Sequence, residues 1–254
     1  MVRSAMMQRG VGERGDFRWR GKEVSRQEAL ADAVFGFAIT LLVVSLEVPR
    51  TFAEMLVAMR GFFAFAASFA LLYLVWHHHY RFYRRYGLED PATTVLNGVL
   101  LFVVLFFVYP LKFVFNLMFN QIIGVDAWVA MPDGTRAPVL TREQAPTMML
   151  VFGLGYAAVF LVFALLYHHA YRRRETLDLT PLEAYHTLDN VRENLLNVAI
   201  AALSIWVAYR GSRNAPMLSG LTYALVGPVM TMHGFWSARR RKRVAVRVEA
   251  AAES

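Results

Sequence analysis

Cysteine is absent from all 254 residues, which rules out both a disulfide framework and a thiolate metal site. Charge is sparse as well. Asp, Glu, Lys and Arg together make up 18% of the chain, against roughly 25% for an ordinary soluble domain. Residues 1–25 lack the apolar core of a signal peptide, and no small-residue cleavage pattern follows the first apolar run, so the first helix is expected to stay. No nucleophile, metal cluster or acid–base pair stands in a recognisable catalytic pattern, and the reading is not that of an enzyme.

What is present is hydrophobic, at 57% of residues, and it is concentrated in runs. Several approach the ~17–25 residues that cross a bilayer. They predict an all-α, polytopic membrane protein with six transmembrane helices per subunit, at about 27–48, 54–78, 92–118, 147–169, 189–210 and 216–237. The chain then divides into an N-terminal segment (1–25), a membrane domain (26–238) and a basic tail (239–254). Pro91 and Pro216 suit the first turns of their helices, where a missing amide proton costs little. Gly124, Pro132, Asp133, Gly134 and Pro138 mark 119–146 as the one long loop.

The net charge of +8 is patterned. With the N-terminus inside, 20 of the 27 Lys and Arg residues fall in cytoplasmic segments, which places both termini in the cytoplasm of a multi-pass plasma-membrane or inner-membrane protein. The run Arg239–Arg243 is expected to meet anionic membrane lipids rather than nucleic acid, and no soluble substrate is implied.

ADAVFGFAITLLVVSLEV, residues 31–48, has a carboxylate at each end, Asp32 and Glu47. At about 100° per residue, Phe37, Leu41 and Val44 share a stripe with Thr40 at its edge, and Asp32 and Gly36 lie on another side. The stripe fits lipid, the bundle core, or a pore whose hydrophobic rings restrict passage by dewetting. An intramembrane carboxylate turns to protein or water, and His77, His78, His79, His168, His169, His233, Asn97, Asn194 and Asn197 reach its level. Glu47 at the outer mouth, with Asp126 and Asp133, would concentrate cations. HHHYR at 77–81 and HHAYR at 168–172 invite a metal or haem reading. Adjacent helical histidines diverge by about 100°, which favours an interfacial belt, and no cofactor or metal is expected.

The segment RQEALADAVFGFAITLL, Arg26–Leu42, resembles the start of the first helix in the lysosomal and bacterial TMEM175 family of potassium-permeable channels. Arg26 and Asp32 stand at the arginine and aspartate of the family hallmark, while Leu30 and Ala31 replace its phenylalanine and serine. The resemblance implies a homotetramer with a central pore lined by the first helix, narrowed at Phe37, then Leu41 and Val44, with Thr40 beside the narrow point. It also implies that Arg26 and Asp32 hold that helix near its cytoplasmic end, where depth puts His77, His78 and Asn97 in the same helix network. A TVGYG filter is absent, so a weakly selective path for K+ and other monovalent cations is expected. A secondary transporter remains the competing reading, since Pro110 with Lys112, and Gly227 with Pro228, could break helices.

Overall fold

Ser25 starts the first helix. Its hydroxyl accepts the Glu28 amide at 3.1 Å while Glu28 Oε2 accepts the Ser25 amide at 3.0 Å, a reciprocal capping box that opens α1 (Arg26–Val44). The computed structural model describes residues 17–44, 50–122, 124, 128–131, 134–210 and 215–252. Glu47, Asp126 and Asp133 lie outside the described residues.

The second apolar run is divided by Gly61 into α2 (Phe52–Arg60) and α3 (Phe62–Tyr86). α3 stops at Gly87, whose φ of 58° is the left-handed conformation glycine tolerates, and whose amide bonds the Tyr83 carbonyl. A side chain on Gly87 would also meet the backbone of Gly21 at 3.1 Å, and one on Gly21 would collide with the Tyr83 carbonyl. Two glycines thus let the segment before α1 lie directly on the end of α3, where the Gly21 amide donates to the Arg84 carbonyl.

α4 (Pro91–Ile122) runs through Pro110. A short antiparallel hairpin of β1 (Trp128–Ala130) and β2 (Arg136–Pro138) follows, then α5 (Ala145–Arg172). α6 (Pro181–Ala208) begins earlier than its apolar core because Thr180 and Glu183 form a second capping box with Pro181 at the first helical position. The last apolar run is interrupted: α7 (Ala215–Leu221) leads through a 3₁₀ turn at Thr222–Leu225 into α8 (Val226–Ala252).

The expectation of six spans is corrected. Among the described residues four helices are long and apolar enough to cross a membrane: Pro91–Ile122, Ala145–Arg172, Pro181–Ala208 and Ala215–Arg241. α1 carries Arg26, Glu28 and Asp32 within its first two turns, and α3 is apolar only as far as Trp76 before His77, His78, His79 and a series of arginines. Polar residues that cap and pair these two helices therefore shorten their apolar stretches.

α1 packs against α3 and α4, α4 against α5, and α5 against α6. One buried cluster joins the first four of these, from Phe35 and Leu42 on α1 through Leu72 and Phe82 on α3 and Leu100 and Leu111 on α4 to Phe163 and Tyr167 on α5.

Candidate functional site

The two sides of α1 have opposite fates. Ala31, Phe35, Ala38 and Leu42, at helical spacing, are at most 2% exposed and form the side that packs on α3 and α4. Phe37, 57% exposed, points the other way, together with Thr40, Gly36 and Asp32. Leu41 is half-buried at the edge of that outward side, and the side chain of Val44 lies outside the described residues. Of the stripe that sequence periodicity groups around Phe37, Phe37 itself faces away from its own subunit, while Leu41 packs partly against the core. Thr40 donates its hydroxyl proton to the Gly36 carbonyl at 2.9 Å, which satisfies it within the helix.

Polar side chains fix the angle at which this face is presented. Trp76 donates its indole N–H to Asp32 Oδ1 at 2.8 Å. Gln27 donates to Thr94 at 2.7 Å and accepts from the Tyr83 hydroxyl at 2.9 Å, tying α1 to α4 and α3. Glu28 is held by Arg84 in a buried, forked pair, with Arg84 Nη2 2.5 Å from both carboxylate oxygens and Nε 3.1 Å from Oε1. The same guanidinium donates to the carbonyls of Gly21 and Glu23, so it clamps the chain entering α1 as well.

Arg26 and Asp32 are both exposed in the subunit, Asp32 reaching α3 through Trp76, and the buried charge is that of Glu28. Of the histidines it is His79 that is buried, 2.9 Å from Asn97 Oδ1; His77 rests against Tyr80 and His78 meets the Phe163 ring edge-on. A signal for His79 exists in the sequence, since Ala64, Ser68, Leu72, Val75, His79 and Phe82 repeat at the period of one helix face and are all buried. Replacing Asn97 with Leu leaves the His79 ring nitrogen buried without its acceptor, and should cost about 1–3 kcal/mol, read as a lower midpoint of unfolding in detergent.

The second histidine pair does different work. His169 lies 2.6 Å from Asp90, the residue that caps α4 through the Thr93 amide. Partial burial pushes the Asp90 carboxyl up, but the His169 bond and the Thr93 donors more than offset this and hold it below the usual carboxylate value. Among the described residues, no three His, Asp or Glu side chains group as metal ligands.

Residues 26–107, from the start of α1 into α4, match the family described as the endosomal/lysosomal potassium channel TMEM175. A potassium channel of Marivirga tractuosa is 37% identical over 237 residues, covering 92% of this chain and 96% of that protein. The chain belongs to the TMEM175 family. Its members are channels, not enzymes. A second relative, a potassium channel from Chamaesiphon minutus, is 26% identical over 73% of this chain and 88% of its own. The crystal structure of a variant of the potassium channel MtTMEM175, bound to a nanobody–MBP fusion, superposes with a TM-score of 0.76 at 36% identity, over 90% of this chain and all of that one. A TMEM175 homolog from Chamaesiphon minutus shares the fold, with a TM-score of 0.52 at 23% identity. The chain is therefore a multi-pass, membrane-embedded member of a channel family, and the matched segment is the one that carries α1 and its clamps.

Proposed function

We propose that this protein forms a potassium-permeable, weakly selective cation channel in which α1 from the copies of a homotetramer surrounds the ion path and Phe37 forms its hydrophobic constriction. The observation that carries the reading is the outward orientation of Phe37, opposite a stripe of α1 that is buried in its own subunit. An aromatic side chain held rigidly away from the core by Trp76, Gln27 and Glu28 is disposed to meet its symmetry mates rather than to stabilise its own fold. Kinship with potassium channels supplies the ion.

Benzyl rings around an axis offer no lone pairs to a dehydrated cation, so passage requires a wetted opening, helped by attraction to the ring faces. A hydrated path without a carbonyl cage discriminates weakly. Leu41 and Val44 continue the apolar lining and Thr40 adds a hydroxyl beside the narrow point, while Glu47 raises cation concentration at the outer mouth. No cofactor is needed. The basic ends face the cytoplasm, with anionic lipids as their partners.

In planar bilayers the purified protein should carry non-saturating current, with bi-ionic reversal potentials that favour K+ over Na+ by a few-fold. Saturable flux coupled to a second solute would instead assign a transporter. Assembly has its own test in Gly36. Among the described residues nothing lies within 4 Å of a side chain added there. Gly36→Val should leave helix content unchanged yet shift the protein from tetramer toward monomer in light scattering, because in the proposed assembly a neighbouring copy approaches that face. An unaltered tetramer would place the subunit contact elsewhere.

A further inference from the structure

The Arg20 side chain is only 12% exposed and lies against that of Glu183, which is 2% exposed. An ion pair so withdrawn from water holds only when its donors all find acceptors. The five N–H groups of the guanidinium do. Nη1 and Nη2 fork onto the two Glu183 oxygens at 3.0 and 2.7 Å, and the other three reach the carbonyls of Leu177, Asp178 and Arg18 at 2.7, 2.8 and 3.0 Å. A planar fork filled in this way has one geometry.

What the fork joins lies far apart in the chain. On one side are the α5–α6 connection and Glu183 itself, which also closes the capping box of α6 and accepts the Arg18 amide at 2.7 Å. On the other is the segment 17–22 that leads into α1. Phe17 is buried there, edge-on to Tyr86 of α3 with 5.6 Å between ring centres. One residue past Arg20, the Gly21 amide donates to the Arg84 carbonyl and the Gly21 carbonyl accepts from the Arg84 guanidinium, which forks in turn onto Glu28 of α1. The first turn of α6 is thereby linked to the first turn of α1, although among the described residues the two helices do not pack together. The Tyr86 and Thr187 hydroxyls, 2.8 Å apart, join α3 to α6 directly, but that contact leaves out the chain entering α1.

We infer that Arg20 is a positioning residue that couples the start of α6 to the start of α1 and so holds the angle at which α1 borders the ion path. The inference rests on the proposed placement of α1 around that path. A displacement of α6 at this end reaches α1 through Arg20, Gly21 and Arg84.

Amide exchange and single-channel recording on the full chain test the coupling together. Arg20→Met should speed exchange at residues 26–31 of α1 about tenfold and broaden the distribution of unitary conductance roughly twofold. Thr180→Ala is the control. It loosens the first turn of α6 by removing the hydroxyl that accepts the Glu183 amide, leaves Arg20 in place, and should change neither reading at α1. Rescue separates positioning from stability. Arg18 and Asp178 meet at 3.0 Å on exposed side chains, and the chain has no cysteine of its own, so Arg18→Cys with Asp178→Cys in the Arg20→Met background accepts a short bifunctional thiol reagent. Bridging should restore slow exchange and a single conductance. Exchange in α1 that Arg20→Met leaves unchanged, or that Thr180→Ala raises equally, overturns the inference while leaving the channel reading intact, and so does a bridge that restores neither reading. Faster exchange with unaltered conductance overturns the placement of α1 beside the path. Where Arg20→Met does not assemble, Arg20→Lys, which keeps the charge and loses the fork, is read by the same criteria.

Discussion

Phe37→Ala should raise potassium current roughly tenfold, which corresponds to about 1.4 kcal/mol removed from the barrier, and should weaken discrimination between K+, Na+ and Cs+. The benzyl group is the bulkiest side chain on the outward face of α1 and is 57% exposed within its subunit. Its removal takes little from the folded monomer, since substitutions at exposed positions usually fall within about 0.5 kcal/mol. In the proposed assembly it should enlarge the narrowest ring and lower the tendency of that ring to dewet. Phe35 provides the control two residues away. It is 2% exposed, in contact distance of the His79 ring and within the shared core. Phe35→Ala should cost about 3–5 kcal/mol of stability without selectively widening the path. Macroscopic and unitary currents, measured beside thermal unfolding of both variants, separate the two effects. Equal currents from Phe37→Ala and the parent protein would remove Phe37 from the ion path.

How far the sequence alone reveals this architecture depends on the scale of the signal. The resemblance over Arg26–Leu42 identifies the family segment because it is local and continuous. The number of spans is misjudged where one run serves two ends. The apolar residues of α3 are followed at once by three histidines, and those of α1 are preceded by Glu28 and Asp32, so hydropathy sees a span where the structure uses the polar residues as fasteners. Partner choice is harder still. Trp76 lies between the rings of Tyr73 and Tyr80 along α3, and it is the approach of α3 to α1 that makes its N–H the donor to Asp32. Ser25 and Glu28 display a capping-box spacing, visible in one dimension, yet the second task of Glu28 requires Arg84, 56 residues away.

That pair should have the largest effect on folding. Glu28 and Arg84 have side chains 8% and 9% exposed, and the guanidinium also holds the carbonyls of Gly21 and Glu23. Arg84→Ala leaves a carboxylate buried beside apolar residues and frees two carbonyls, at a cost of about 3–5 kcal/mol. Glu28→Gln keeps the shape and part of the hydrogen bonding, so its cost should be smaller. The paired substitution Glu28→Leu with Arg84→Met removes both charges together. Because burying an ion pair is expensive, the double variant should recover much of the loss. Its stability alone does not restore function, however, since the chain before α1 loses its anchor on α3. We expect the double variant to unfold within about 1–2 kcal/mol of the parent while its channel activity varies from one molecule to the next, α1 no longer being held at a single angle. A cycle of the four proteins, measured by unfolding and by the spread of unitary conductance, tests this directly. Additive losses would show that the pair does not act as a unit. Recovery of stability together with a single, unaltered conductance would show that the clamp serves folding alone.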